Sequence, residues 1–201
     1  DWRLLASGQP FSNHDITEVK NGFILSTPIS GNFHYIDARN PLKPKVLANG
    51  VKEIEETGWL FHSGSWPRGA KDNFILMQGE QNAQPQCDDQ NGPFRTYDAR
   101  DWKKTKTFTT IDTYRVDNGV YADGSPAVNG LGCSAHWFEE HPSFRNGGLV
   151  TMGYYEHGTR FFEVDSKGMI TEVGYFLPAG GSTSASYWVS EKKDADLVYA
   201  V

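Results

Sequence analysis

Three histidines occupy comparable places in this chain: His14, His62 and His136 each precede or begin an apolar, strand-like run. Downstream of each, another apolar run ends in an aspartate within a short polar turn. These turns are Tyr35-Ile36-Asp37-Ala38-Arg39-Asn40, Tyr97-Asp98-Ala99-Arg100-Asp101 and Glu163-Val164-Asp165-Ser166-Lys167-Gly168. If the units are related by rotation about an axis, the three imidazoles converge at one mouth of a central channel. Neutral imidazoles gathered this way bind Zn, Cu or Fe and can leave a position open for substrate. The competing expectation is one structural histidine per unit, bonded to a neighbouring strand or a turn aspartate. A fourth unit has Ser184 or Ser186 where a histidine would belong, which weakens the ring.

A second set lies on a hairpin, Tyr154-Tyr155-Glu156-His157-Gly158-Thr159-Arg160, with Glu80 at the matching place one unit earlier. Two carboxylates on adjacent units serve as general acid and base if they lie about 5–10 Å apart. Tyr154, Tyr155, Glu156, Arg160 and Glu80 together also suit a rim that binds a carbohydrate or peptide, because tyrosine offers a large face with a polar tip. Solvated hairpin charges are the plainer alternative. A third set is acidic: Asp88, Asp89 and Asn91 in one loop, and Asp117, Asn118 and Asp123 in another. Calcium prefers such oxygen donors, although neither loop has the spacing of an EF-hand. Cys87 and Cys133 are expected either to form a disulfide between neighbouring units, which implies an oxidising compartment, or to remain free thiols. No GxSxG elbow, P-loop, GxGxxG, HExxH or CxxC is present.

The elements that must carry these residues are short and strand-like. Unit one runs through Ser12–Ile16, Phe23–Thr27, Asn32–Ile36 and Lys45–Ala48, with Asn21-Gly22 as a hairpin signal between the first two runs. Unit two runs through Leu60–Gly64, Phe74–Gln78, Phe94–Asp98 and Thr105–Ile111. Unit three runs through Ser134–Phe138, Gly148–Met152, Thr159–Asp165 and Ile170–Phe176, and a fourth starts near Ser184. Four short antiparallel strands with turns between them make one propeller blade, and a repeat of roughly 40–50 residues points the same way. The fold class is therefore all-β: a β-propeller of about three complete four-stranded blades plus part of another. The blades span 12–50, 58–112, 132–178 and 184–201 of one partial domain, with an insertion loop at 112–130. No segment has sustained 3.6-residue periodicity.

Phe33-His34-Tyr35-Ile36-Asp37-Ala38-Arg39-Asn40-Pro41-Leu42-Lys43-Pro44 resembles the LVIVD repeat, an apolar strand ending in Asp followed by Asn/Asp-Pro and a second Pro. Units two and three keep the strand and the Asp but lose the proline pair. The stretch from Gly132 to Trp188 also resembles uncharacterised secreted actinobacterial proteins that carry these repeats. The resemblance implies a β-propeller in a secreted or cell-surface protein, and it transfers no catalytic residues.

Composition narrows the function classes. With 22% charged and 13% aromatic residues among 201, the chain is expected to be globular rather than disordered. A net charge of −6 without a basic stripe disfavours a nucleic-acid partner. No apolar run reaches the roughly 18–20 residues that span a bilayer. The start at Asp1-Trp2 and the end inside Leu197–Val201 suggest a fragment that is closed by the remaining blades of the same propeller or by a partner subunit. The expected role is a non-enzymatic extracellular scaffold presenting loops to an unidentified ligand or protein partner. The alternatives are a metal-dependent enzyme with His14, His62 and His136 at the channel mouth, or a structural piece of a larger surface assembly.

Overall fold

The computed structural model describes residues 13–51, 59–81, 92–116, 134–189 and 196–201. Strand makes up 55% of the described residues and helix 5%, so the fold is all-β. Unit one is β1 (Asn13–Lys20), β2 (Phe23–Pro28), β3 (Phe33–Asp37) and β4 (Lys45–Gly50). Unit two is β5 (Trp59–Ser65), β6 (Phe74–Gln81), β7 (Phe94–Asp98) and β8 (Thr107–Tyr114), with one-turn helices α1 (Pro67–Ala70) and α2 (Trp102–Thr105) in its connections. Unit three is β9 (Phe138–Glu140), β10 (Gly148–Gly153), β11 (Thr159–Val164) and β12 (Ile170–Phe176). A two-stranded pair, β13 (Ser186–Trp188) and β14 (Val198–Ala200), follows. Within every unit, sequential strands pair antiparallel.

Units one and two are joined rather than separate. The fourth strands of the two units, β4 and β8, run parallel for two residue pairs, Asn49 with Thr107 and Gly50 with Phe108, which makes one eight-stranded sheet in the order β1-β2-β3-β4-β8-β7-β6-β5. The ends of that sheet, β1 and β5, pack against each other, so it nearly closes on itself. β8 begins two residues later than its sequence suggests because Trp102–Thr105 winds into α2, which Lys106 ends in the left-handed region at φ 59°. β9 is likewise shorter than the run Ser134–Phe138. The backbone of 135–137 is engaged instead by Gly92, Gly153 and Ser184. The run at Leu197–Val201 is paired, through β14 with β13 and through Val201 with Ala185.

Side-chain alternation explains how the units stack. Phe74-Ile75-Leu76-Met77 reads as continuous apolar sequence, and in β6 its members point to opposite faces. Ile75 and Met77 enter a core shared by units one and two with Leu25, Phe33, Trp59 and Phe61. Phe74 and Leu76 enter a second core shared with unit three, beside Val150, Met152 and Phe162. A strand buried on both faces has no polar side, which is why the run lacks alternation.

The aspartates that end the third strands cap the turns into the fourth. Asp37 accepts the Arg39 backbone N–H at 3.1 Å and holds its guanidinium at 2.9 and 2.7 Å. Asp98 does the same with Arg100. Asp165 accepts the backbone N–H groups of Lys167 and Met169 at 2.8 and 2.9 Å. Short polar side chains that bond the backbone two residues on fix such turns, and in unit one the Asn40 side chain continues the pattern by accepting Leu42 N–H at 3.1 Å.

Candidate metal centre

β1 and β5 are the two ends of the eight-stranded sheet and β9 is an edge of the four-stranded one, and Thr17, Ser63, Ser65, Phe138 and Glu140 from them, with Tyr187 of β13, line a cleft of about 450 Å³. His14 and His62 lie on β1 and β5 one or more residues before these lining positions, and His136 lies just before β9. Local ladder irregularities aim all three. His14 is the extra residue between the pairs Asn13–Pro28 and Asp15–Thr27. His62 is the extra residue between Phe61–Gly79 and Ser63–Gln78. Ahead of β9, Gly153 bonds both His136 and Trp137, the same two-against-one count. A bulge leaves its extra residue out of the ladder and redirects the side chain.

The imidazoles converge. Ring centroids of His14 and His62 are 4.0 Å apart, and those of His62 and His136 are 4.3 Å apart. All three face one carboxylate, that of Glu80 near the end of β6. Glu80 Oε2 lies 3.7 Å from His14 Nε2 and 3.9 Å from His62 Nε2, and Oε1 lies 3.6 Å from His136 Nε2. The ligand atoms of His14, His62 and Glu80 all fall within 4.8 Å of one another, the one such grouping among the described residues. Direct hydrogen bonds are shorter than these distances. His14, His62 and Glu80 therefore face one another across a gap without bonding, and His136 approaches from the other oxygen of Glu80, outside that three-residue grouping.

Protonation favours donor lone pairs at that centre. Nδ1 of His136 lies 2.5 Å from the Ser184 carbonyl oxygen, which can only accept. The proton therefore sits on Nδ1 and the Nε2 lone pair faces Glu80. Metal-ligating histidines commonly donate their other N–H to a backbone carbonyl in this way. Burial is the main cause holding His136 below the usual imidazole range, although its Ser184 bond and Glu80 work against it. His62, its side chain 2% exposed, is pushed down to about 3 by burial first and then by His136 and His14. Its Nδ1 has no partner in good geometry among the described residues, and the neighbouring Gln78 amide offsets the depression only in part.

Tyr155 completes the cluster. Its hydroxyl donates to Glu80 Oε1, and its ring lies tilted against His136 with centroids 4.7 Å apart. Burial and the Glu80 bond raise its phenol well above the ordinary range, so it stays a donor. Trp137 stands edge-on to His62 at 4.7 Å and also lines the cleft. Further along the cleft, Glu140 accepts the Ser65 hydroxyl at 2.7 Å, and burial raises its carboxyl.

Of the residues singled out in the sequence, His14, His62, His136, Glu80 and Tyr155 come together. Tyr154 is buried in the second core near Tyr114 and Phe162. Arg160 is buried too, with Nε donating to the His157 carbonyl and Nη1 near Glu172. Glu156 is half-buried on the hairpin. Cys87 and Cys133, with the disulfide expected of them, lie outside the described residues, as do Asp88, Asp89, Asn91, Asp117, Asn118 and Asp123 with the calcium expected there. Ser184, marked as the fourth unit's missing histidine, instead supplies the carbonyl that fixes the His136 tautomer.

Fold and site together define an all-β protein with three imidazoles and a carboxylate gathered where β1, β5 and β6 meet the segment leading into β9. No protein-family model matches the chain, and no curated protein is significantly similar to it. Among solved structures it is similar to Sqt1 of Saccharomyces cerevisiae, with a TM-score of 0.60 and 9% identity over 95% of this chain. The match covers 42% of Sqt1, so this chain spans less than half the length of that relative. It is also similar to the computationally designed Ika4 protein, with a TM-score of 0.50, 11% identity, and 97% and 93% of the two chains covered. At such identities the likeness concerns the fold alone. Among the described residues, no helix is long and apolar enough to cross a membrane.

Proposed function

We propose that this chain is part of a metal-binding β-propeller. In this reading a single first-row transition-metal ion sits at the mouth of the cleft, held by His14, His62, His136 and Glu80. The observation that carries it is the convergence of three Nε2 atoms from three units on one carboxylate at 3.6–3.9 Å, beyond hydrogen-bond reach. Imidazole suits Zn, Cu, Fe and Ni, and carboxylate adds affinity for harder ions. Trp137, which stands against His62, also lines the neighbouring cleft, so a small ligand held there would lie close to the ion. Bound there, the ion would act as a Lewis acid or redox centre. The chain's own residues fix the tautomer at His136, exclude bulk water around His62 and orient Glu80.

The blade arrangement is part of the proposal. β1–β4, β5–β8 and β9–β12 are read as three blades and β13–β14 as part of a fourth, with the ring closed by further blades or a partner subunit. Resemblance to LVIVD-repeat proteins supports this, since Phe33–Asp37 forms β3 and Asp37 and Asn40 fix the turn that follows. The same resemblance supports a secreted or cell-surface location. A metal-free binding scaffold is the competing reading, and it expects imidazoles whose nitrogens are taken up by backbone groups. His136 has such a bond at Nδ1, yet its Nε2 still faces Glu80.

The test is elemental analysis and titration of purified protein with Zn(II), Co(II), Cu(II) and Fe(II). One equivalent bound by the wild type and lost in His62→Ala supports the centre. No binding of any of the four metals by correctly folded wild type sinks it.

A further inference from the structure

Tyr155 touches two of the four proposed ligands and is held in an uncommon backbone conformation while doing so. Its φ of 44° lies in the left-handed region, where a bulky aromatic residue is rarely found. The surroundings over-determine that conformation. The Tyr155 N–H donates to the Thr183 carbonyl and the Thr183 N–H donates back, both at 2.8 Å, which ties the hairpin tip to the strand segment entering β13. The Gly158 N–H also donates to the Tyr155 carbonyl at 2.9 Å. Strained backbone of this kind persists where the surroundings fix it, and it clusters at functional sites.

The side chain explains what the conformation achieves. Glu80 has two oxygens: Oε2 faces His14 and His62, while Oε1 faces His136 and accepts the Tyr155 hydroxyl. A carboxylate near a strand end is free to rotate about its last torsion, so without a partner on Oε1 its orientation would be broad. The phenol sets the plane of that carboxylate. Its ring also packs against the His136 imidazole, whose opposite edge is fixed by Ser184. One residue from unit three thus orients one donor from unit two and another from its own unit, and its backbone is anchored next to unit four.

We infer that Tyr155 is the positioning residue of this metal centre: it donates its hydrogen bond to Glu80 and buttresses His136 without itself binding the ion. The inference rests on the metal-binding reading. Outer partners of metal ligands typically change affinity by about 10–100-fold when removed.

The experiment titrates Co(II) into the wild type, Tyr155→Phe, Glu80→Gln and the double variant. It reads affinity and the visible ligand-field spectrum, with metal-free melting temperature as the control on folding. Tyr155→Phe keeps the ring and removes only the hydroxyl. It is expected to melt like the wild type, bind Co(II) about 10–100-fold more weakly and show an altered spectrum. Because the hydroxyl acts through Glu80, adding Tyr155→Phe to Glu80→Gln should cost little further affinity. Wild-type affinity in Tyr155→Phe, or full additivity with Glu80→Gln, overturns the positioning role while leaving the metal centre standing. So does an iron(III)-phenolate absorption band in Fe(III)-loaded wild type that disappears in Tyr155→Phe, since Tyr155 would then be a ligand. If wild type binds no metal, the centre and the inference fall together.

Discussion

Gly153 lies so close to the backbone of Ser184 that a Cβ on Gly153 would sit 2.7 Å from the Ser184 carbonyl carbon. The same Ser184 carbonyl takes the Nδ1 proton of His136. A methyl group at 153 must therefore push unit three away from the segment that fixes the His136 tautomer, and backbone atoms yield less readily than flexible side chains. Gly153→Ala is expected to destabilise the protein by about 1–3 kcal/mol and to weaken metal binding as well. Denaturant unfolding beside Gly174→Ala provides the comparison, since nothing lies within 4 Å of a Cβ built at Gly174. Equal stability of the two variants would show that the contact at 153 is loose.

Acid should weaken the metal-free protein through His62. Its folded pKa is about 3 because of burial and the neighbouring imidazoles, against an ordinary value near 6.5 in the unfolded chain. Between those values the unfolded state binds a proton that the native state refuses, so stability falls as pH drops from about 6.5 towards about 3. Urea midpoints measured across that window should slope for the wild type and flatten in His62→Gln. An equal slope in both proteins would place the titration elsewhere.

The turn aspartates act lower on the pH scale. The Arg39 guanidinium holds the Asp37 carboxyl down at about 2, below its unfolded value of roughly 3.9. Its contribution is therefore complete above about pH 4 and is lost as pH falls through about 2. Asp98 and Asp165 are held down as well, by Arg100 and by the Met169 backbone N–H respectively. Asp37→Asn should leave a shallower loss of stability below pH 4 than the wild type shows, read by the same urea series.

Metal should stabilise the fold in proportion to its occupancy. Binding to the native state alone adds about 2.7 kcal/mol at a hundred times the dissociation constant. A thermal melt with Zn(II) or Co(II) at that excess is expected to shift upward in the wild type and to stay put in His14→Ala and Glu80→Gln. A shift that survives in both variants would locate the ion away from these residues.

Much of this architecture can be read from residue order. Asn21-Gly22 marks the first hairpin, the three aspartates mark the turns into the outer strands, and the repeated histidines point to a common end of the inner strands. Glu80 was legible as a candidate but not as the hub. Its place beside His14, His62 and His136 depends on the β5–β6 register, in which Leu60 pairs with Glu80, and on the bulge at His62. Neither leaves a mark on a single strand's pattern. Tyr154 and Tyr155 look equivalent in sequence, yet Tyr154 faces the second core while the left-handed turn at Tyr155 swings its ring to Glu80. The parallel join of β4 to β8 is equally silent, because two backbone pairs ask nothing of side-chain identity.

The bulges at His14 and His62 have a mechanical meaning. Because the donors hang from the two ends of the eight-stranded sheet and from the segment leading into the next sheet, a small change in the tilt of one against the other moves them apart. An ion bound among them would then act as a rivet through the hub of the assembly. Its affinity would work as a strain gauge, falling whenever the sheets splay and rising when they are pressed into place.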